Sequence, residues 1–238
     1  MKVSLVIPAY NESGTLNELA MRADKTMRSI LKKNDWECII VNDNSTDNSK
    51  EILEKLKEKY PNLKPIHHAS NKGQTGCFDS GFKAAQGEIV ITLDGDLEVF
   101  PEDIPIFIEK MNAGADLVNG IRTNRTHTFL ICLASSLYNI LMLTFFRILF
   151  YDAASNYTAI RTKFVKGINL KHNDHRYIIP IAIRRGAKKF DEVLIRHAVR
   201  KAGKSKYSAL NKFLWGFFEL FGAWYRINIK KEYDIQTE

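Results

Sequence analysis

The sequence predicts an α/β fold built around a mostly parallel sheet. In the first half of the chain, short runs rich in β-branched residues alternate with segments of helical spacing, which is typical of strand–helix–strand units. The chain has 238 residues, of which 45% are hydrophobic. This length and composition favour one large core and exclude a disordered or fibrous protein.

Five strands are predicted in the first half of the chain, each followed by a segment that can form a helix. The predicted strands are residues 3–7, 38–41, 63–67, 88–93 and 116–119. A helix is predicted between residues 12 and 31, with Ser13 or Thr15 as its cap, and a second helix around Leu53, with Thr46 or Asp47 as its cap.

Charge and cysteine content narrow the function classes. There are 35 Lys and Arg residues against 27 Asp and Glu, a net charge of +8, and the basic residues concentrate after residue 160. They form no recognised nucleic-acid module, so we expect phosphorylated ligands or an anionic membrane surface as partners, and no nucleic acid. Cys38, Cys77 and Cys132 have no disulfide or zinc spacing, which favours a reducing, cytoplasmic setting, and the N-terminal apolar run is too short for a signal peptide.

Polar residues follow every predicted strand, where parallel sheets bind ligands. Asp94 and Asp96 flank Gly95 directly after a buried strand, and such paired carboxylates suit a hard divalent cation on a diphosphate, although an acidic turn is the alternative. Asp43 could accept the imino N–H of a nucleotide base, or serve as a turn or cap residue. The sequence has neither GxGxxG nor GxxxxGK[ST], which excludes the two common phosphate loops.

These segments resemble the family 2 glycosyltransferases, in the branch that contains dolichyl-phosphate mannose synthase and bacterial polyprenyl-phosphate glycosyltransferases. The resemblance lies in residues 3–12 (VSLVIPAYNE), 39–49 (IIVNDNSTDNS), 71–105, 175–180 and 200–207. It implies a GT-A fold, meaning a Rossmann-like, mostly parallel central sheet. It also implies a nucleoside diphosphate sugar donor, Mg²⁺ or Mn²⁺ as cofactor, and a lipid phosphate acceptor.

The resemblance also assigns roles to individual residues. It implies nucleotide-sugar binding by Pro8, Ala9, Tyr10, Glu12, Asp43, Gly73 and Asp94. It implies a metal site at Asp94, Asp96 and Glu98, and a catalytic set of Asp94, Asp96 and Arg122. For Arg122 and Arg125 it implies contact with the diphosphate or the acceptor phosphate, with exposed salt bridges as the alternative, and we place Arg125 on the acceptor side. Acceptor-phosphate binding is also predicted for Arg200, Ser205 and Lys206, since guanidinium and ammonium groups beside a hydroxyl donate charge-assisted hydrogen bonds to phosphate; a solvated basic loop is the alternative.

The chain departs from the family pattern at a few positions. The family usually has Gln at Glu98 and Pro at Phe100, and residues 153–156 replace a common Gly-Cys pattern after the matching acidic position, Asp152. The role of Glu98 and the sugar selectivity are therefore open.

Two hydrophobic segments predict attachment to a membrane surface. Residues 126–146 lack Lys, Arg, Asp and Glu but carry a stripe of small and polar side chains, and residues 207–229 are rich in aromatics around a similar stripe. We expect two amphipathic helices in the plane of the interface, which makes the protein peripheral or monotopic at the cytoplasmic face. A core or dimer helix is the alternative for the second segment, and a second copy or a membrane protein is a further candidate partner.

The predicted divisions are 1–125 for nucleotide-sugar binding, 126–206 for the acceptor side with a helix at about 126–150, and 207–238 for the aromatic helix and tail. The predicted reaction is inverting transfer from a nucleoside diphosphate sugar, UDP-linked by slight preference or GDP-mannose, to undecaprenyl or dolichyl phosphate. Transfer to a glycan hydroxyl and non-catalytic binding of a nucleotide sugar are the alternatives.

Overall fold

A seven-stranded sheet forms the centre of the molecule in a computed structural model that describes residues 2–123, 129–148, 151–152, 155–198 and 218–235. The strands are β1 (Val3–Ala9), β2 (Trp36–Asn42), β3 (Leu63–His67), β4 (Ile89–Thr92), β5 (Leu117–Arg122), β6 (Thr158–Arg161) and β7 (Phe190–Ile195). Their order across the sheet is β3-β2-β1-β4-β6-β5-β7.

Four of the six strand pairings are parallel, which confirms the predicted α/β fold with a mostly parallel sheet. These are β1 with β2, β1 with β4, β2 with β3, and β5 with β7. Strand β6 runs antiparallel between β4 and β5. The sequence prediction found β1 to β5 and missed β6 and β7, because β6 has four residues and β7 is an edge strand with several exposed side chains.

Helices cover both faces of the sheet. They are α1 (Leu16–Ile30), α2 (Ser49–Lys59), α3 (Gly73–Ala84), α4 (Ile104–Asn112), α5 (Phe129–Phe146) and α6 (Ile178–Arg184). Alternate strand residues feed two cores, as the period of two along a strand requires. One core packs the sheet against α1, α2 and α4, and the other packs it against α3, α6 and a C-terminal helix.

The C-terminal helix, residues 218–224, continues into a π-helical turn at Tyr225–Ile229. It buries Leu220, Ala223 and Ile227 against the second core and contacts α5 through aromatic rings. Within the described part of the chain, none of the helices combines the length and the hydrophobicity that crossing a membrane requires. The predicted boundaries at residues 125 and 206 lie outside the described residues.

Candidate functional site

The loops after β1 and β2 are joined by hydrogen bonds into one surface. Asn11, which has a positive φ of 57°, accepts from the backbone N–H of Thr46 (2.8 Å) and donates its own N–H to Ser45 Oγ (2.9 Å). Ala9 is buried, whereas Tyr10 is 48% exposed. The structure therefore brings together the predicted nucleotide-binding segments 8–12 and 42–47 at the carboxyl ends of two adjacent strands.

Asp43 organises the loop that leads into α3. Its carboxylate is 3% exposed and accepts from His68 Nδ1 (2.7 Å) and from the backbone N–H groups of Lys72 (2.8 Å) and Gly73 (2.7 Å). Gly73 has φ +70°, a conformation that favours glycine. Asp43 thus fixes the position of Gly73, and its role in reading a base stays a prediction.

Three side chains of types that bind metals, Asp43, His68 and Cys77, lie together in this loop region. Within the described residues they are the only group of three His, Cys, Asp or Glu side chains whose possible metal-ligand atoms all lie within 4.8 Å of one another. These groups already serve a hydrogen-bond network, since His68 Nε2 also pairs with Ser80 Oγ (2.9 Å). Burial, with the nearby Asp43 carboxylate, raises the pKa of the Cys77 thiol to about 12, which disfavours the thiolate that a metal prefers. We interpret this group as support for the loop.

Asp94 lies just beyond β4 and is held by two side-chain amides. Gln74 Nε2 donates to its Oδ1 (2.8 Å), and Asn156 Nδ2 lies 3.3 and 3.4 Å from its two oxygens. Burial, reinforced by the charge of Asp96, raises the pKa of Asp94 to about 6, while Asn156 and Arg122 oppose this rise. A cation beside this carboxylate would offset both the burial and the repulsion.

Residues 94–98, which carry Asp94, Asp96 and Glu98, form a turn that we call the carboxylate turn. Gly95 allows this turn to approach β1. A Cβ added at Gly95 would lie 2.8 Å from the carbonyl oxygen of Pro8, closer than real Cβ contacts allow. Thr15 occupies the N-cap position of α1, as predicted, but its hydroxyl makes no cap hydrogen bond and donates to the Gly95 carbonyl (2.8 Å). The turn is therefore fixed against the chain that follows β1.

The predicted metal ligands Asp96 and Glu98 follow in the same turn. Asp96 Oδ1 accepts from the backbone N–H of Glu98 (3.1 Å), and both side chains are partly buried. The Glu98 carboxylate lies 3.6 Å from His197 Nε2. The charges of Asp96 and Glu98 both raise the pKa of Asp94, so the three carboxylates lie close enough to interact.

Arg122, at the end of β5, is held by a buried partner. Its Nε and Nη2 donate to the two oxygens of Asp152 at 2.7 and 2.9 Å. The Asp152 side chain is 5% exposed and that of Arg122 is 17% exposed. Such a bidentate pair fixes the direction of the guanidinium. The positive charge of Arg122 also acts to lower the pKa of Asp94.

The predicted acceptor-phosphate residues, Arg125, Arg200, Ser205 and Lys206, lie outside the described residues. The chain that leads to the last three is described as far as Ala198. The Ala198 N–H donates to the carbonyl of Glu98 (2.9 Å), and His197 pairs with Val99 in an antiparallel bridge. The last described residues before this predicted segment, His197 and Ala198, therefore lie against the turn that carries Asp94, Asp96 and Glu98.

Two partners of the predicted site residues were missed by the sequence interpretation. Asn156 precedes β6, a strand that was not predicted, and His68 follows β3 without any motif of its own. Gln74, which donates to Asp94, is one of the polar residues that follow β3. Its place after a strand of a parallel sheet, where ligands bind, is a signal that the sequence does contain. The position of Asn156 depends on the antiparallel insertion of β6 beside β4, which no local pattern indicates.

Comparison with known proteins agrees with this geometry. The glycosyl transferase family 2 profile matches residues 4–130, more than half of the chain. A Salmonella choleraesuis undecaprenyl-phosphate 4-deoxy-4-formamido-L-arabinose transferase is 33% identical over 208 residues, which cover 87% of this chain and 63% of that protein. A Pseudomonas fluorescens protein of the same name is 34% identical over 209 residues, with 87% and 60% covered. The chain thus spans somewhat less than two thirds of these relatives.

Solved structures share the fold. S. aureus TarS, in complex with UDP-GlcNAc, has a TM-score of 0.65 at 20% identity, with 94% of this chain and 66% of that chain covered. Glucosyl-3-phosphoglycerate synthase from Mycobacterium tuberculosis, with Mn²⁺, UDP and phosphoglyceric acid, has a TM-score of 0.67 at 15% identity, with 94% and 78% covered. A Pyrobaculum calidifontis mannosyltransferase, with GDP-Man and Mn²⁺, has a TM-score of 0.61 at 17% identity, with 85% and 58% covered. At these identities the likeness shows the fold alone, and it agrees with the predicted fold class.

The fold, the strand-end site and the profile match agree, and the chain belongs to glycosyl transferase family 2.

Proposed function

We propose that this protein transfers a sugar from a nucleoside diphosphate sugar to a polyprenyl phosphate at the cytoplasmic face of a membrane, with inversion. The names of the Salmonella and Pseudomonas relatives support a polyprenyl phosphate as acceptor. The nucleotide sugars bound by the structural neighbours support the donor class. As the donor we propose a UDP-sugar, in slight preference to GDP-mannose.

The observation that carries this proposal is the pairing of His197 and Ala198, which precede the predicted phosphate ligands, with Val99 and Glu98 of the carboxylate turn region. Ala198 donates to Glu98, and two residues further along the chain the predicted phosphate ligands begin at Arg200. A phosphate acceptor bound by that segment would start close to the site where the donor diphosphate is expected. Proximity of this kind lowers the barrier to transfer between two bound reactants.

The carboxylate turn fits a divalent metal. Asp94, Asp96 and Glu98 supply the oxygen ligands that Mg²⁺ and Mn²⁺ prefer. Burial first, and then the charges of Asp96 and Glu98, raise the pKa of Asp94. When bound, such an ion stabilises the negative charge that develops on the leaving diphosphate. The Mn²⁺ ions in two structural neighbours support the same proposal.

Apart from the metal, we expect the transfer to depend on the positions of donor and acceptor and on compensation of their negative charges. A phosphate monoester, with a second pKa of about 6, is largely deprotonated at neutral pH, so its oxygen needs no dedicated general base to attack the anomeric carbon. Arg122, oriented by Asp152, offsets repulsion between the anionic donor and the anionic acceptor. We assign the same task on the acceptor side to Arg125, Arg200, Ser205 and Lys206.

An exposed apolar face supports the membrane location. Leu137, Ile140 and Leu143 are 40–57% exposed on α5. Phe218, Phe221, Tyr225 and Ile229, spaced three and four residues apart, are 42–70% exposed along the C-terminal helix and its π-helical turn. The two helices are joined by Phe145, which contacts Phe221 and Trp224. A contiguous surface of this kind suits insertion into the headgroup region.

The first test compares the wild type with an Asp96→Ala variant. With Mg²⁺ or Mn²⁺, a short polyprenyl phosphate and a panel of UDP- and GDP-sugars, the wild type should form a glycosyl polyprenyl phosphate, detected by mass spectrometry. We expect Asp96→Ala to lower turnover by about 10²-fold or more, since it removes a ligand that acts on the leaving group.

Asp35→Asn provides the matched control, because Asp35 precedes β2 at the opposite end of the sheet. It should retain wild-type turnover. Metal-dependent turnover in Asp96→Ala would contradict the site assignment. Binding of nucleotide sugar by the wild type without any transfer would favour a non-catalytic role.

A further inference from the structure

The side-chain amides of Gln74 and Asn156 both donate to Asp94 through their nitrogen atoms. Gln74 Nε2 lies 2.8 Å from Asp94 Oδ1, and Asn156 Nδ2 lies 3.3 and 3.4 Å from the two carboxylate oxygens. An ionised carboxylate only accepts hydrogen bonds, so it must face the nitrogen and not the oxygen of each amide. In the part of the chain that the structure describes, nothing donates to Gln74 Oε1 or Asn156 Oδ1. Since both side chains are only partly buried, these two acceptor atoms are available to a ligand.

The main chain at Asn156 is fixed by the sheet. Its carbonyl oxygen accepts from the hydroxyl of the buried Thr92 (2.5 Å), the last residue of β4. Two residues further along, Thr158 begins β6 and is the partner of Thr92 in the antiparallel register. The Asn156 amide therefore reaches Asp94 from a position that the strand pairing determines.

The strand order places Asn156 on the far side of the carboxylate turn from the predicted nucleotide loops, residues 8–12 and 42–47. Because β6 is antiparallel, its first residue lies beside the last residue of β4. Along this edge of the sheet the order is therefore the loops after β2 and β1, the carboxylate turn after β4, and Asn156 before β6. Neighbouring strands lie about 4.8 Å apart, so β6 is about 10 Å from β1. A nucleotide whose base contacts the loops and whose diphosphate lies at the carboxylate turn would place an attached sugar at β6.

We propose that Asn156 and Gln74 bind hydroxyl groups of the transferred sugar through their amide oxygens and thereby select the sugar. Sugar hydroxyls donate hydrogen bonds, and an amide oxygen accepts them without adding negative charge beside the donor diphosphate. Asp94 orients both amides for this contact, since it holds their nitrogen atoms. The inference rests on the proposed function, because its ligand is the nucleoside diphosphate sugar.

Binding measurements separate contact with the sugar from support of Asp94. Calorimetry with excess Mg²⁺ gives Kd for UDP-glucose, UDP-galactose, UDP-N-acetylglucosamine and GDP-mannose, and for UDP and GDP alone. For the sugar nucleotide that the wild type binds most tightly, Asn156→Ala and Gln74→Ala should each raise Kd by about three- to tenfold, the loss of one hydrogen bond. Kd for the matching nucleoside diphosphate should stay within about twofold of wild type, because that ligand carries no sugar.

Asn169→Ala is the matched control. The exposed Asn169 side chain lies 3.5 Å from Lys83 Nζ in the last turn of α3, whereas Gln74 belongs to the first turn, about 14 Å away along the helix. This variant should leave every Kd unchanged.

Equal rises in Kd for the sugar nucleotide and the nucleoside diphosphate would show that an amide acts only through Asp94, and its contact with the sugar would be overturned. An unchanged Kd for the sugar nucleotide would overturn that contact as well. If the wild type binds none of the four sugar nucleotides, the inference and the proposed donor class fall together. The proposed function fails separately if the wild type binds a sugar nucleotide but transfers no sugar to a polyprenyl phosphate, since the Kd values still decide whether the amides contact the sugar.

Discussion

At the scale of single residues, Asp94 shows how the site keeps a carboxylate in a partly buried setting. Gln74 and Asn156 donate to it, and Arg122 lies near enough to lower its pKa, yet burial and Asp96 still raise that pKa to about 6. A raised pKa means that the folded state binds this proton more tightly than the unfolded state. Asp94 therefore destabilises the fold as pH rises from about 4 to about 6, a cost that a bound cation would offset.

His175 has the opposite effect in nearly the same pH range. Burial, with the nearby Arg176, lowers its pKa to about 4, and its Nδ1 pairs with Thr75 Oγ1 (2.7 Å). Below about pH 6.5 the unfolded chain takes up this proton while the folded chain does not, so the fold loses stability as pH falls toward 4. Each pH unit in that window costs about 1.4 kcal/mol.

We predict that the free energy of unfolding of the wild type falls by about 2 kcal/mol more between pH 7 and pH 5 than that of a His175→Asn variant. Urea titrations of both proteins at the two pH values measure this difference. The contribution of Asp94 cancels, since both proteins contain it. An equal change in the two proteins would show that His175 is not held neutral by the fold.

At the scale of elements, the C-terminal helix is tied to the protein by its polar residues. Asp174 is fully buried and pairs with Arg226 (2.5 Å) and with the hydroxyl of Tyr233. Glu219, one helical heptad before Arg226, contacts Asn173 and Arg176. Among the described residues of the polar stripe that the sequence predicted, Glu219 and Arg226 thus pack on the protein, whereas Phe218, Phe221 and Tyr225 remain exposed.

Arg226→Met should lower the free energy of unfolding by about 3 kcal/mol, because it leaves the Asp174 carboxylate buried without its cation. Lys230→Met is the control. Lys230 lies four residues further along and its side chain is 54% exposed, so its ion pair with Glu232 contributes about 0–1 kcal/mol. Urea unfolding measures both variants. Equal stability of the two would contradict the docking of this helix through Asp174.

The elements that the sequence predicts well are those with local signals. Strands β1, β2 and β4 are rich in β-branched residues, whereas β3 has only Ile66 and is a weaker signal. The turn at Asp94 and Asp96 follows from strand-end position and residue type. The antiparallel β6 is not predictable in this way, because only its pairing with β4 and β5 brings Asn156 to Asp94. The surroundings of Phe100 are likewise invisible in sequence, since Arg22 and Arg196, whose guanidinium groups lie over its ring, are 174 positions apart (196 − 22) and meet only in the fold.

At the scale of the whole molecule, the exposed side chains of α5 and of the C-terminal helix define one apolar face. Ile140 and Ile229, which are 57% and 54% exposed, belong to its two parts. Burial of an isoleucine side chain in a membrane interface is favourable by about 1–2 kcal/mol, so losing two such side chains matters. The net charge of +8 adds attraction to anionic lipids.

We predict that the wild type sediments with vesicles containing phosphatidylglycerol, and that an Ile140→Ser/Ile229→Ser double variant binds them at least about tenfold more weakly. Met21→Ser, on the exposed side of α1, is the control and should bind as the wild type does. Wild-type binding by the double variant would exclude this face as the membrane contact.

The nature of the acceptor, which we propose to be a phosphate, is best tested by transfer from a nucleoside diphosphate sugar to a short polyprenyl phosphate and, in parallel, to the corresponding polyprenol, with products identified by mass spectrometry. We expect a glycosyl polyprenyl phosphate from the first and no product from the second, because the proposed site supplies charge and position rather than a base for a hydroxyl. A glycosylated polyprenol, or equal transfer to both acceptors, would contradict this proposal.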